Sequence, residues 1–220
     1  MKDKPVNLLQ DTDEKQIISK ILEGEKALFE VLIRRTNSTI YKIARMYGFN
    51  HEDSEDLMQE SHISAFQHLH SFAFRSSYKT WISKIMIHKC LYKLKFGYQA
   101  KEFNEIINDN AQPMHTSVVN TSTDYTVNNN ELSKILENCI QHLPLIYRSV
   151  FLLREIEGYS VIETAELLGI SEVNVKVRLN RAKIMMQKEL ENFYNRTEVY
   201  SFHLKYCDAL TAKVMARLDS

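Results

Sequence analysis

Glycine and proline are scarce in this chain, five and three among 220 residues. Sheets and their turns use both freely, so the scarcity argues against a β architecture and for helices. There is no run of about 18 uninterrupted apolar residues of the kind a bilayer-spanning helix requires. The amino-terminal MKDKPVNLLQDTDEK has no apolar segment typical of a secretory signal. A cytoplasmic location with no membrane insertion is the expectation. The three cysteines, Cys90, Cys139 and Cys207, are odd in number and far apart, which argues against a disulfide framework. His203 with Cys207, and Cys139 with His142, supply two ligands each where a structural zinc generally takes four, so neither a metal nor another cofactor is expected. His62 and Glu60 do not share the i, i+4 face of a metalloprotease helix, no catalytic residue is assigned, and the chain is not read as an enzyme.

Two further absences are local. Residues 61–100 contain six Lys/Arg and no acid, and residues 173–188 contain five (Lys176, Arg178, Arg181, Lys183, Lys188) and no acid. The whole chain is nonetheless neutral, 28 basic residues against 28 acidic, because twelve Asp/Glu lie in residues 1–60 and six stand against two bases in 101–143. Segregation of this kind lets basic zones attract polyanions while net charge stays near zero. The first zone also threads aromatics among its bases: residues 71–96 read SFAFRSSYKTWISKIMIHKCLYKLKF.

Apolar spacing predicts helices from Asp13 to Leu94. Ile17, Ile21 and Leu22 form one stripe; Leu28, Val31, Leu32, Ile40, Ile43, Ala44 and Tyr47 form the next, and Gly48 stops it. NHEDSEDL, 50–57, opens a third helix with its acids at the positive end of the dipole. A fourth begins after Ser76 or Ser77, either of which can cap it. Residues 98–130 are rich in Asn, Ser and Thr with little periodicity, which predicts a linker. Helical patterning resumes at Glu131. The chain is predicted to be all-α, two small helical domains joined by a flexible linker: 1–97, the linker 98–130, 131–192, and a helical extension 193–220.

YSVIETAELLGISEVNVKVRLNRAK, 159–183, is the most specific stretch. Ser160 and Glu163 make a capping box at a helix start. Gly169 falls where the chain must turn, Ser171 can cap a second helix, and Val175, Leu179, Ala182 and Met186 repeat along that helix's inner face. Ala165, Gly169 and Val175 have the spacing of a helix-turn-helix. Glu172, Asn174, Lys176 and Arg178 would then project from the recognition helix, where Asn suits adenine, Arg guanine and Glu cytosine. Arg181 and Lys183 are placed for phosphates. A helix-turn-helix alone would make a stand-alone transcriptional regulator, but the aromatic and basic first zone suits single strands, whose bases stack on rings while cations track the backbone.

With both features present, the chain resembles the extracytoplasmic-function class of bacterial RNA polymerase sigma factors, in the sigma-70 family. ALFEVLIRRTNSTIYKIARMYG and EDSEDLMQESHISAFQHLHSF look like their region two, with the Asp-Leu-x-Gln-Glu signature at Asp56, Leu57, Gln59 and Glu60. YKTWISKIMIHK looks like the segment that melts and reads the minus-ten element; LPLIYRSVFLLREIEGYS and the helix-turn-helix look like region four. The resemblance implies that Asp53, Asp56, Leu57, Gln59 and Glu60 bind the clamp helices of core RNA polymerase. It implies minus-ten contacts with single-stranded promoter DNA from Arg75, Ser76, Ser77, Tyr78, Lys79, Thr80, Trp81, Lys84, His88 and Lys89. Minus-thirty-five duplex contacts would fall to Ser160, Ser171, Glu172, Asn174, Val175, Lys176, Arg178, Arg181 and Lys183, and region four would touch the polymerase flap. An anti-sigma protein that clamps the two domains together is a further implied partner. His88 stands where the family usually has Asn, and Ile82 where Leu is usual. The tail, 199–218, resembles a helix that follows region four in many members, with packing against region four expected.

Overall fold

The computed structural model describes residues 13–96, 129–193 and 204–218, and all the regular structure among them is helical. Four helices make the first body: α1 Glu14–Leu22, α2 Phe29–Met46, α3 His51–Gln67 and α4 Tyr78–Phe96. The starts of α1, α3 and α4 are fixed by short polar side chains. Asp13 accepts from the Lys15 amide on α1, and Asn50 accepts from the Asp53 amide at 2.8 Å on α3. On α1 the buried stripe is Ile17, Ile18 and Ile21; Leu22, assigned to it from spacing, is 51% exposed because it falls off that face in the last turn. Ile40, Ile43 and Ala44 on α2 meet Leu57 and Ala65 on α3 and Ile82, Met86 and Cys90 on α4, all buried. Each such large aliphatic contributes about 1.5–3 kcal/mol through the area it removes from water. The buried hydroxyls of Ser54 and Ser61 donate to the carbonyls of Asn50 and Leu57, so neither costs an unmade hydrogen bond.

The second body comprises α5 Asn129–His142, α6 Leu145–Phe151, α7 Val161–Leu168 and α8 Glu172–Phe193. Helix α5 takes in the last two residues of the predicted linker, since asparagine favours loops and helix starts alike; the rest of the linker lies outside the described residues. Two small cores hold these helices: Cys139, Leu143, Tyr147, Ala182 and Met186 form one, Val150, Ala165 and Val175 the other. Helix α9, Leu204–Leu218, is exposed at every side chain from Cys207 onward, so the expected packing against region four is not found among the described residues. Its apolar residues are spread through a polar sequence without a partner face at hand.

After α6 the chain runs on through a π-helical turn, Leu152–Ile156, whose wider spacing shows in the Glu157 amide donating to the Leu152 carbonyl at 2.9 Å. Gly158 then takes φ +74°, a left-handed conformation that glycine adopts without steric cost. Together they turn Glu157 and Tyr159 towards the first body. Leu152, Leu153, Tyr159 and Leu167 are buried in the same core as α1–α4. The two predicted helical domains are both present and, in their described parts, are packed together.

Candidate nucleic-acid interfaces and the surface between them

The helix-turn-helix is built as its sequence requires. Ser160 Oγ accepts from the Glu163 amide at 3.1 Å while Glu163 Oε2 accepts from the Ser160 amide at 2.9 Å. Those contacts, the backbone one foremost, hold the Glu163 carboxyl below the usual range against the opposing effect of burial. Gly169 ends α7 at φ +65°, and Ser171 Oγ accepts from the Asn174 amide at 3.2 Å to start α8. Glu172, Asn174, Lys176, Arg181 and Lys183 are exposed, and Arg178 is half-buried. Arg181 reaches the Tyr147 hydroxyl at 3.3 Å, and Lys183 pairs with Glu155 at 3.0 Å. Val175 corrects the resemblance, which placed it at the DNA face, and agrees with its inner-face spacing: it is fully buried with Val150 and Ala165, where α7 and α8 cross.

In the first body the predicted minus-ten residues divide in three. Arg75, Ser77, Lys84 and His88 are exposed, and Ser76 is half-buried. Trp81 is half-buried in an aromatic cluster with Phe72 at 5.1 Å and Tyr78 at 5.7 Å. Phe74 extends that cluster, 4.8 Å from Phe72, at φ +53° and 40% exposed; it is absent from the predicted site, and its one sequence signal is its place among the aromatics of residues 71–96. Tyr78 is 1% exposed, its amide donating to Glu14 Oε1 at 2.8 Å, so its ring belongs to the core rather than to a DNA face. Ser77 Oγ caps α4 through the Thr80 amide at 3.1 Å.

Lys79 and Thr80 point into the second body. Thr80, 5% exposed, donates to Glu163 Oε1 at 2.9 Å. Lys79 donates to the Glu157 carbonyl at 2.9 Å, pairs with the Glu157 carboxylate at 3.1 Å and stands 4.8 Å over the Tyr159 ring. Tyr159 shares a 2.7 Å hydrogen bond with Ser83, and burial pushes its phenol well above the usual range, so it stays neutral there. Glu157 is the centre of this surface. Its side chain is 4% exposed and takes hydrogen bonds from Thr39 Oγ1 and Lys42 Nζ, both at 2.7 Å. Burial pushes its carboxyl up, but the donations from Lys42, Thr39 and Lys79 outweigh it and hold the group ionised. Thr39, Lys42 and Glu157 carried no local signal, since they meet only through the fold.

The predicted polymerase-facing set is on α3. Asp56, Gln59 and Glu60 are exposed, Asp53 half-buried. Leu57 is a second correction: at 3% exposure it packs in the core instead of facing a partner. Asp53 pairs with Lys93 at 2.6 Å and Glu60 with Lys89 at 3.1 Å, so two of the bases that look free in sequence lie against α3. Cys90 and Cys139 are buried and Cys207 is exposed. Among the described residues no group of three or more His, Cys, Asp or Glu could hold a metal ion, and no helix is long and apolar enough to cross a membrane.

Residues 32–96 match the family model described as sigma-70 region 2, and residues 133–186 match that of sigma-70, region 4. The two matches are non-overlapping and in order, one falling within each of the two packed bodies. The chain belongs to the sigma-70 family, in its extracytoplasmic-function class. Relatives agree along most of its length. It is 27% identical to the ECF RNA polymerase sigma factor SigW of Bacillus subtilis, over 81% of this chain and 97% of SigW. It is 24% identical to SigM of Mycobacterium tuberculosis, over 80% and 83%. Among solved structures, CnrH in complex with the cytosolic domain of CnrY shares the fold at a TM-score of 0.58, with 21% identity over 81% of this chain and 97% of that one. RpoE in complex with the anti-sigma factor NepR from Bartonella quintana does so at 0.57, with 18% identity over 74% and 96%. Region two is thus matched by residues 32–96 of the first body and region four by residues 133–186 of the second.

Proposed function

We propose that this chain is a transcription initiation factor that binds core RNA polymerase, directs it to particular promoters and helps melt their DNA, acting in the cytoplasm and without catalysis of its own. The observation that carries this is the pairing, in one sigma-70 chain, of an exposed recognition helix with an aromatic and basic loop suited to unpaired bases. Residues 1–97 act as region two and 131–192, with the start of α5, as region four; 193–220 is an extension.

In this reading Glu172, Asn174, Lys176 and Arg178 meet the minus-thirty-five duplex in the major groove, with Arg181 and Lys183 on phosphates. Ser160 and Ser171 shape the motif as caps. Arg75, Ser76 and Ser77, with Trp81 and the exposed ring of Phe74, receive minus-ten bases; Lys84 and His88 face the strand, and Lys79 and Lys89 reach it on leaving Glu157 and Glu60. Extruding a base costs a few kcal/mol, which stacking at about 1–3 kcal/mol per base can offset. The exposed acids Asp56 and Glu60, with Gln59 and Asp53, suit a basic clamp surface. An anti-sigma protein is a fitting third partner.

Permanganate footprinting of a candidate promoter tests this directly. Thymines near minus ten should react only when both core polymerase and this chain are present. Protection of duplex by the chain alone, with no reactive thymines on adding core, would instead make it a stand-alone regulator.

A further inference from the structure

The surface between the regions holds a site that the two DNA faces do not account for. Thr39 Oγ1 and Lys42 Nζ approach the Glu157 carboxylate at 2.7 Å, and Lys79 Nζ at 3.1 Å. All three donors belong to region two, on α2 and the first turn of α4, whereas Glu157 comes from region four. Two ammonium groups and a hydroxyl converging on a pair of oxygens recognise an oxyanion by charge and donor geometry, and a phosphate offers the same acceptors. Lys42 and Lys79 keep 42% and 37% of their side chains exposed, while Glu157 keeps 4%. The cationic cradle therefore lies at the rim of region two and the carboxylate is the part pressed into it.

Lys79 follows directly on the loop that carries Phe74, Arg75 and Ser77 and belongs to the same helix as Trp81. A strand whose bases reach that loop has its backbone at hand for the cradle. We propose that Thr39, Lys42 and Lys79 form a backbone-phosphate site for single-stranded promoter DNA, and that Glu157 occupies it in the free chain as an internal stand-in for phosphate. Region four must then move off region two before the site takes DNA, so closure and strand capture exclude one another. This rests on the initiation-factor reading above. The closed form is suited to be reversible: a buried ion pair recovers little more than its desolvation cost, so a competing phosphate has little net energy to overcome.

The test uses the full chain and a short fluorescein-labelled single-stranded oligodeoxynucleotide carrying a candidate minus-ten sequence, followed by anisotropy over a range of salt. Glu157→Gln keeps the shape and removes the charge. It should tighten binding about tenfold, as when a closed form holding about nine-tenths of the molecules is released. Adding Lys42→Ala to that variant should weaken binding again and reduce the log–log salt slope by about 0.7, the signature of one phosphate contact on a single strand. Thr39→Val on the same background should weaken binding with the slope unchanged, and it guards against misfolding of the lysine variant. Unchanged affinity of Glu157→Gln would overturn the stand-in; a salt slope unmoved by Lys42→Ala would overturn the phosphate site. Polymerase-dependent thymine reactivity of the wild-type chain, measured in parallel, separates the two readings. Its absence alongside the predicted slopes would sink the initiation factor and leave the site standing, and its presence with flat slopes would do the reverse.

Discussion

The two candidate DNA faces are built from the same ingredients and held in opposite states. Helix α8 of region four carries Glu172, Asn174 and Lys176 in the open, over a buried seam of Val175, Ala182 and Met186. The start of α4 in region two carries Lys79 and Thr80 against the other region, bonded to Glu157 and Glu163. Both use a serine cap followed by cations, so local sequence does not separate them. What separates them is who supplies the neighbouring acid. On α8 the nearest pairing is the peripheral Lys183–Glu155 contact, and on α4 it is a carboxylate with a 4% exposed side chain at the centre of an interface. A face can thus be masked without altering one of its residues.

The largest effect expected from breaking this comparison is on the open side. Lys176→Ala with Arg178→Ala should remove contacts worth about 1–3 kcal/mol each where they reach base edges, roughly 10- to 100-fold per contact in promoter binding by the assembled holoenzyme. Gel-shift competition at fixed salt checks it. The same pair should leave single-strand binding by the free chain unmoved; a loss there would mean that α8 also serves the melted strand.

The next effect separates the regions by acid. His62, 7% exposed on α3, hydrogen-bonds Asn37 at 2.9 Å, and burial lowers its pKa from 6.5 to about 4. In the unfolded chain the imidazole protonates near 6.5, so between 6.5 and 4 the unfolded state binds the extra proton. The stability that His62 confers is therefore complete above about 6.5 and is lost as pH falls towards 4, by about 3 kcal/mol if the shift is fully expressed. The single tryptophan, Trp81, reports on region two. Urea unfolding followed by its fluorescence should show a lower midpoint at pH 5 than at pH 7.5, and His62→Gln should flatten the difference. An equal drop in the variant would assign the acid sensitivity to other groups.

What could be read from sequence follows the same division between local and assembled features. The Ser160–Glu163 box, the turn at Gly169 and the helix start at 50–57 depend on residues a few positions apart, and each is present where the sequence predicts it. Leu57 and Tyr78 stand inside motifs that place them on surfaces, and Val175 is placed there by resemblance although its spacing sets it on the inner face; a motif records which residues recur together and says nothing of which side of a helix they occupy. Their burial follows from helical phase: Val175 and Leu57 share faces with Ala182 and Ala65. Phe74 hid because left-handed backbone at a phenylalanine has no pattern in the chain. Glu157 was beyond reach of any window, its partners Thr39 and Lys42 lying 118 and 115 positions away. The two helical domains were legible in the chain, but their packing against one another was not, since a linker's composition does not reveal what its ends do.

The smallest effect gives the finest test of the closed side. Tyr159 is 3% exposed, and its hydroxyl meets Ser83 on α4 at 2.7 Å. Tyr159→Phe keeps the ring beneath Lys79 and removes that bond together with a long one to the Lys79 carbonyl at 3.5 Å, a change of about 1 kcal/mol in a part-closed equilibrium. Because Ser83 would be left with an unmet buried hydroxyl, Ser83→Ala alone should cost a similar amount, and the two together little more than either, the sub-additivity of a shared contact. The readout is the distance distribution between spin labels on regions two and four, placed in a Cys207→Ser background because that thiol is exposed. Opening of the pair by Tyr159→Phe, repeated but not deepened by Ser83→Ala, would place the bond across a working hinge. Additive losses with the distance unchanged would mean that both residues merely pack, and the whole weight of closure would then fall on Glu157.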